Sequence, residues 1–241
     1  MEEILDTFDE GMKWVGTASR QEVHRVGAWH QTFHCWVLQR TQEGDFLLLQ
    51  RRHETKDTHP NKLDISCAGH LETGEKPSDG IRELREELGI EVAFNSLQTV
   101  GVYKNSVHSG DVKDNEFCNI FVLVRYDETL SNYSPALGEV SGLYLIRAVD
   151  MENLCNLAVE TVVINGFDID DQGRHFERTV NMSLSDMVGY DLSYYKMLFK
   201  KIRALYSLFC VVPRIGECDF LNRTRSSCLA DRAGSRVIHL R

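Results

Sequence analysis

Residues 69–90 read GHLETGEKPSDGIRELREELGI. In this stretch Glu83, Glu86 and Glu87 stand at i, i+3 and i+4, so a helix over 78–88 puts all three on one face. Pro77 suits the first turn of that helix and Gly89 the position just past its end. Gly80 inside it costs up to ~1 kcal/mol against alanine, so the helix must rely on packing. Three like charges on one face repel one another, and a cation among them removes that cost. Hard divalent ions prefer such oxygens, and Mg²⁺ combines one or two carboxylates with substrate phosphate and water. Gly69 and Gly74 permit a tight loop ahead of the helix. Taken alone, the triplet also reads as a solvated acidic face paired with Arg82 and Arg85.

Outward from this segment the pattern alternates between strands and helices. Residues 33–40 and 45–51 read as two strands joined by a turn at Glu43 and Gly44, and residues 52–68 as a loop. Further strands are expected near 97–104, 116–126 and 139–147, and a helix near 148–157. Residues 191–206 carry Leu192, Tyr195, Leu198, Phe199, Ile202 and Leu205 at helical spacing, which predicts a helix with a buried face. From about residue 207 the periodicity fades. The expected division is a domain over 1–206 and a poorly ordered tail over 207–241.

The bulk composition is that of a soluble globular protein, 42% hydrophobic and 26% charged over 241 residues. A net charge of −9 argues against a surface that coats nucleic acid, which needs clustered cations. An acidic chain still binds phosphates where a metal ion offsets the repulsion. No stretch approaches the ~20 apolar residues that span a bilayer, and the acidic N-terminus does not read as a leader. The seven cysteines are odd in number and form no CxxC pair, so reduced thiols in a cytoplasmic protein are expected.

The whole segment resembles the Nudix box, G-x5-E-x7-R-E-U-x-E-E-x-G-U with U aliphatic, through Gly69, Glu75, Arg82, Glu83, Leu84, Glu86, Glu87, Gly89 and Ile90. A chance match of this kind is on the order of one in 10⁸. The departure is one residue missing between Glu75 and Arg82, near the helix start, which leaves the register of 82–90 intact. The resemblance implies an α/β fold, an α/β/α sandwich around a mixed sheet with a catalytic loop–helix–loop. It implies Mg²⁺, or Mn²⁺, held through Glu83, Glu86 and Glu87 with Gly69, and Arg82 orienting those carboxylates. The metal would activate a water and cleave a diphosphate bond in a small-molecule substrate. Glu86, Glu87 and Glu139 are the candidate general bases. Dimers are common among such relatives, so a homodimer is compatible with the resemblance.

Residues 20–40 (RQEVHRVGAWHQTFHCWVLQR) and 62–70 (KLDISCAGH) are similar to the branch that contains isopentenyl-diphosphate isomerase and its hydrolase-like relatives. That branch implies a second metal centre on His24, His30, His70, Asp114 and Glu116, His24 fitting its spacing least well. The isomerase also needs a cysteine just before the Gly-His pair, where this chain has Ala68. Cys67 is one place away, and a one-residue shift in a strand turns the thiol to the opposite face. The retained helix glutamates and the missing cysteine favour hydrolysis over isomerisation. Arg51, Arg52 and Lys56 precede the box and are candidates to grip the diphosphate, with a merely exposed basic loop as the other reading. A binding module that has lost activity is a third reading, opposed by the intact carboxylates. Phe33 and Trp36 are expected in the core.

Overall fold

The structure is a computed structural model that describes residues 2–109 and 112–209. The chain opens with an antiparallel pair, β1 (Ile4–Phe8) and β2 (Trp14–Ser19), followed by helix α1 (Arg20–Val26). The Ser19 side chain caps α1 by accepting from the Glu22 N–H, and Gly27, at φ 74°, ends it. Next come β3 (Trp29–Thr41), β4 (Gly44–Arg52), the short β5 (Leu63–Asp64) and β6 (Cys67–His70), and α2 (Arg82–Leu88). The remaining elements are β7 (Leu97–Ser109), β8 (Val112–Tyr126), β9 (Val140–Arg147), α3 (Ala148–Cys155), β10 (Val162–Ile169), β11 (His175–Met182) and α4 (Leu192–Phe209).

Among the described residues the strands form one mixed sheet, mostly antiparallel, whose main path runs β11-β10-β9-β4-β3-β1-β2. β3 organises it. Along one edge β3 runs parallel to β8, from Trp29 opposite Asn115 to Arg40 opposite Tyr126. Its other edge is shared: β6 pairs with residues 32–35, and β4 with residues 38–41. Side chains alternate across the sheet. Phe33, Cys35 and Val37 therefore face one way, into a core with Leu48, Cys67, Leu84, Leu88 and Phe121 under α2. Trp36 faces the other way, fully buried with Tyr194 and Tyr195 of α4. Each such buried large side chain contributes on the order of 1.5–3 kcal/mol.

The expected helix over 78–88 starts as a 3-10 turn at Asp79–Ile81 and becomes α2 at Arg82. Close packing explains Gly80, since a Cβ there would lie 2.5 Å from Phe33 Cβ. The expected strands and the helix after β9 are present. Two hairpins were not anticipated, β1–β2 and β10–β11, and the loop expected over 52–68 contains β5 and the start of β6. The last helix extends beyond 206, to Phe209. The compact unit that holds the sheet runs to Arg203. From residue 210 onward the expected tail, with Cys210, Cys218 and Cys228, lies outside the described residues. Cys35, Cys67, Cys118 and Cys155 are free and buried. No helix among the described residues is long and apolar enough to cross a membrane.

Candidate functional site

The acidic helix is held at its C-terminal end. Gly89, at φ 69°, returns its N–H to the Arg85 carbonyl (3.0 Å), and Ile90 reaches the Leu84 carbonyl (3.0 Å). The carbonyls of Leu88 and Glu87 accept from Ser134 N and Ala136 N, both at 2.9 Å. The carbonyls of Leu84, Arg85, Glu87 and Leu88 thus have partners, and the glutamates are carried on a fixed platform.

Arg82 binds four groups from that platform. Its Nε and Nη2 donate to the two oxygens of Glu75, at 2.8 and 3.0 Å, and Nη2 also reaches the His70 carbonyl at 3.0 Å. Nη1 donates to Glu83, and to Glu86 at 3.1 Å. The missing residue between Glu75 and Arg82 therefore does not separate them. Glu83 lies across Gly69, where a Cβ would come 2.2 Å from its carboxyl carbon. Burial, then the Glu87 charge, push the Glu83 carboxyl up to about 7 against the pull of Arg82. Glu87 is buried, which raises its pKa too, and its Oε2 accepts from Gln50 Nε2 (3.0 Å) and the Ala68 N–H (3.3 Å). Glu86 is the open one, its side chain 47% exposed beside Arg82 and Arg85.

These carboxylates line a cleft of about 380 Å³ together with Arg52, Lys56, Glu139, Gly69 and His70. Arg52 is fastened by Asp64 Oδ2 (3.0 Å), the Thr58 carbonyl (3.0 Å) and the Thr58 hydroxyl (3.2 Å). Lys56 pairs with Glu139 at the mouth, and burial lowers its ammonium pKa. Arg51 is a correction. It is not among the cleft residues but points to the other face of β4, 3.2 Å from Asp168 and over the Tyr144 ring. Adjacent strand residues face opposite ways, so only one of the two arginines can serve the cleft.

A second group of ligand-type atoms shares the cleft. His24 on α1, His30 on β3 and His70 on β6 have ring nitrogens within 4.8 Å of one another. Asp114 Oδ1 lies 3.7 Å from His24 Nε2 and 3.6 Å from His30 Nε2. Glu116, opposite His30 in the β3–β8 register, joins His30 and Asp114. Burial, then the Asp114 charge, push Glu116 up to about 8. His30 Nδ1 is 3.2 Å from the Ala28 carbonyl and His70 Nδ1 is 3.0 Å from Glu3. Those contacts assign the Nδ1 protons and leave the Nε2 lone pairs free. His24 Nε2, His30 Nε2 and Asp114 Oδ1 are buried without a hydrogen-bond partner. Orphaned imidazole nitrogens facing an orphaned carboxylate oxygen are costly unless an ion joins them, so the donor set fits a divalent metal. His24, the weakest match by spacing, sits inside the group.

The sequence reading missed four contributors. Arg20 lines the cleft from α1, paired with Glu3 at 3.4 Å. Glu3 also supports His70; burial alone raises its pKa, but the His70 hydrogen bond and neighbouring cations hold it down at about 2. His34 and Tyr190 form part of the cleft wall. Only His34 left a signal: it stands at the same strand parity as His30 and Thr32 within an otherwise apolar run.

A family model described as the NUDIX domain matches residues 28–158. The chain is 39% identical over 201 residues to an uncharacterized Nudix hydrolase of Clostridium acetobutylicum, covering 83% of this chain and 97% of that one. It is 31% identical over 140 residues to an isopentenyl-diphosphate Delta-isomerase of Saccharopolyspora erythraea, covering 57% and 70%. Among solved structures it is similar to a Deinococcus radiodurans protein, DR0079, with a TM-score of 0.49 and 23% identity over 65% of this chain and 89% of that one. The domain match over more than half of the sequence, and a relative aligned along nearly its full length, place the chain in the Nudix hydrolase family.

Proposed function

We propose that this chain is a hydrolase that uses Mg²⁺ or Mn²⁺ to cleave a diphosphate bond in a small phosphorylated metabolite. The observation that carries the reading is one cleft in which Glu83, Glu86 and Glu87 meet the cations Arg20, Arg52 and Lys56. Carboxylates alone would repel a diphosphate, and cations alone would bind it without activating water. Glu83, Glu86 and Glu87, with the Gly69 backbone, are the residues that would hold a cation, and His24, His30, His70, Asp114 and Glu116 offer a second place. A bound divalent ion supplies charge neutralisation on the phosphates and a more acidic water. Arg82 keeps Glu75, Glu83 and Glu86 in register, and Arg20, Arg52 and Lys56 grip phosphate oxygens.

Among the candidate bases, Glu86 is ion-paired to Arg82 and Arg85, and Glu139 to Lys56. Glu87 has only neutral hydrogen-bond donors on its Oε2, Gln50 and Ala68 N–H, in a buried setting that favours proton uptake. This supports Glu87 as the general base. The test is phosphate release from a panel of nucleotide and prenyl diphosphates by wild type and Glu83→Gln, with and without metal. Release that needs metal and is lost in the variant is expected; release unaffected by either change contradicts the reading.

The isomerase alternative draws on the assembled histidine group. Against it, Ala68 lines the cleft, whereas Cys67 points into the core on the α2 side, where burial raises its thiol pKa far above the ordinary value. No thiol of β6 then reaches a substrate double bond.

A further inference from the structure

We propose that His34 donates a hydrogen bond from Nε2 to the organic part of the substrate, selecting diphosphates with an oxygen acceptor there over hydrocarbon ones. The proposal rests on the diphosphate reading of the cleft and names the class of substrate it takes. His34 sits on β3 opposite Ala68 of β6, on the face shared by His30 and Thr32, and lines the cleft while only 1% exposed.

Its tautomer is set from behind. Trp36 Nε1 donates to the Tyr194 hydroxyl oxygen at 3.1 Å, and an indole nitrogen is a donor only. The Tyr194 hydroxyl, fully buried, must place its own proton on an acceptor, and His34 Nδ1 lies 3.1 Å away. His34 is neutral, because burial pulls its pKa down to about 3. With Nδ1 accepting, the single ring proton is on Nε2. Among the described residues His34 makes no second side-chain hydrogen bond, and one of its ring nitrogens lies within 4.8 Å of a Glu116 carboxylate oxygen and of Cys118 Sγ. Tyr190 closes the adjoining wall, its ring 5.5 Å from that of His34 and stacked 4.6 Å from Tyr194.

A hydrocarbon lying on this wall strips water from the N–H and offers nothing in return. A carbonyl, hydroxyl or ring oxygen pairs it. Sites built to hydrogen-bond a substrate group reject analogues that lack it far more strongly than apolar pockets reject an extra methylene.

The experiment uses the full chain. Two-bond ¹H–¹⁵N correlation of histidine-labelled, metal-free protein should show His34 as the Nε2–H tautomer, and Mg²⁺ should leave that proton in place. Calorimetry with Mg²⁺ then compares uridine diphosphate, rich in oxygen acceptors, with isopentenyl diphosphate. Wild type should favour the first, by about 10²-fold or more. His34→Leu should lose most of that preference and His34→Gln, whose amide reaches the Nε2 position, should restore it. Tyr194→Phe, which keeps the ring but frees the tautomer, should weaken the preference without removing the histidine. An Nδ1–H tautomer, loss of the Nε2 proton on adding Mg²⁺, or an equal fall for both probes in His34→Leu overturns the proposal. Turnover of neither probe would count against the hydrolase reading, while the ratio of affinities still decides His34.

Discussion

Arg82 and Glu75 meet through two parallel hydrogen bonds, 2.8 Å from Nε to Oε1 and 3.0 Å from Nη2 to Oε2, although the chain between them is one residue shorter than the family pattern. This fork leaves Nη1 to hold Glu83 and Glu86, so the arginine ties the loop to the acidic face. Lysine at position 82 keeps the charge and loses the fork. Arg82→Lys should weaken Mn²⁺ binding about 10–100-fold, as changes in groups that orient metal ligands do. Mn²⁺ titration followed by electron paramagnetic resonance checks this, and unchanged affinity would remove Arg82 from that role.

Gly69 and Gly80 make a contrasting pair. A Cβ at 69 meets the far end of a flexible glutamate, 2.2 Å from the Glu83 carboxyl carbon, whereas one at 80 meets Phe33 Cβ at 2.5 Å in the core. Gly69→Ala should therefore displace Glu83 and reduce kcat at least about 10-fold with little change in melting temperature. Gly80→Ala should destabilise the fold by about 1–3 kcal/mol through overpacking. Parallel thermal melts and steady-state rates decide, and the same phenotype for both variants would contradict the placement of Glu83 over Gly69.

Glu87→Gln preserves shape and removes the charge that Gln50 and Ala68 N–H support. If Glu87 is the base, kcat falls about 10²–10⁴-fold while the fold is retained. Glu139→Gln should lower it far less, since Glu139 serves through Lys56 at the mouth. Equal losses in the two variants, measured as kcat under saturating metal, would move the base away from Glu87.

How much of this was legible in the sequence follows from geometry. The acidic helix could be read because i, i+3, i+4 spacing and its flanking glycines fix one face without outside help. The cleft's histidines were reachable through family resemblance, but their convergence needs α1, β3 and β6 to meet, which no local pattern encodes. Arg51 and Arg52 show the limit: strand parity guarantees that they diverge, yet which one faces the cleft depends on the pairing of β4, whose register with β9 shifts between those two residues. The β10–β11 ribbon was missed for a related reason. Most of β11 is exposed, and Arg178 interrupts the alternation of Phe176, Val180 and Met182 that would mark a strand. Tyr194 fell outside the apolar set assigned to the last helix, although its hydroxyl is what orders His34.

Buried, neutral His34 also predicts a pH effect. Its folded pKa, about 3, lies below the ordinary value of 6.5. Below pH 6.5 the unfolded chain binds the extra proton, so stability falls as pH drops from 6.5 toward 3. The slope per such group approaches ~1.4 kcal/mol per pH unit at its steepest. His34→Gln should remove that share, so its denaturation free energy should decline less than wild type between pH 6 and 4.5. Parallel curves from urea melts would mean that His34 is not buried as a neutral base.

The measurement that tests the central claim most directly follows two products in one tube. Purified protein is given Mg²⁺ or Mn²⁺ with nucleoside and isopentenyl diphosphates, while phosphate release and conversion to dimethylallyl diphosphate are monitored together. The account predicts metal-dependent phosphate release and no allylic conversion. Conversion without phosphate release would contradict it in favour of isomerisation, and silence in both channels with metal bound would contradict it in favour of a binding module.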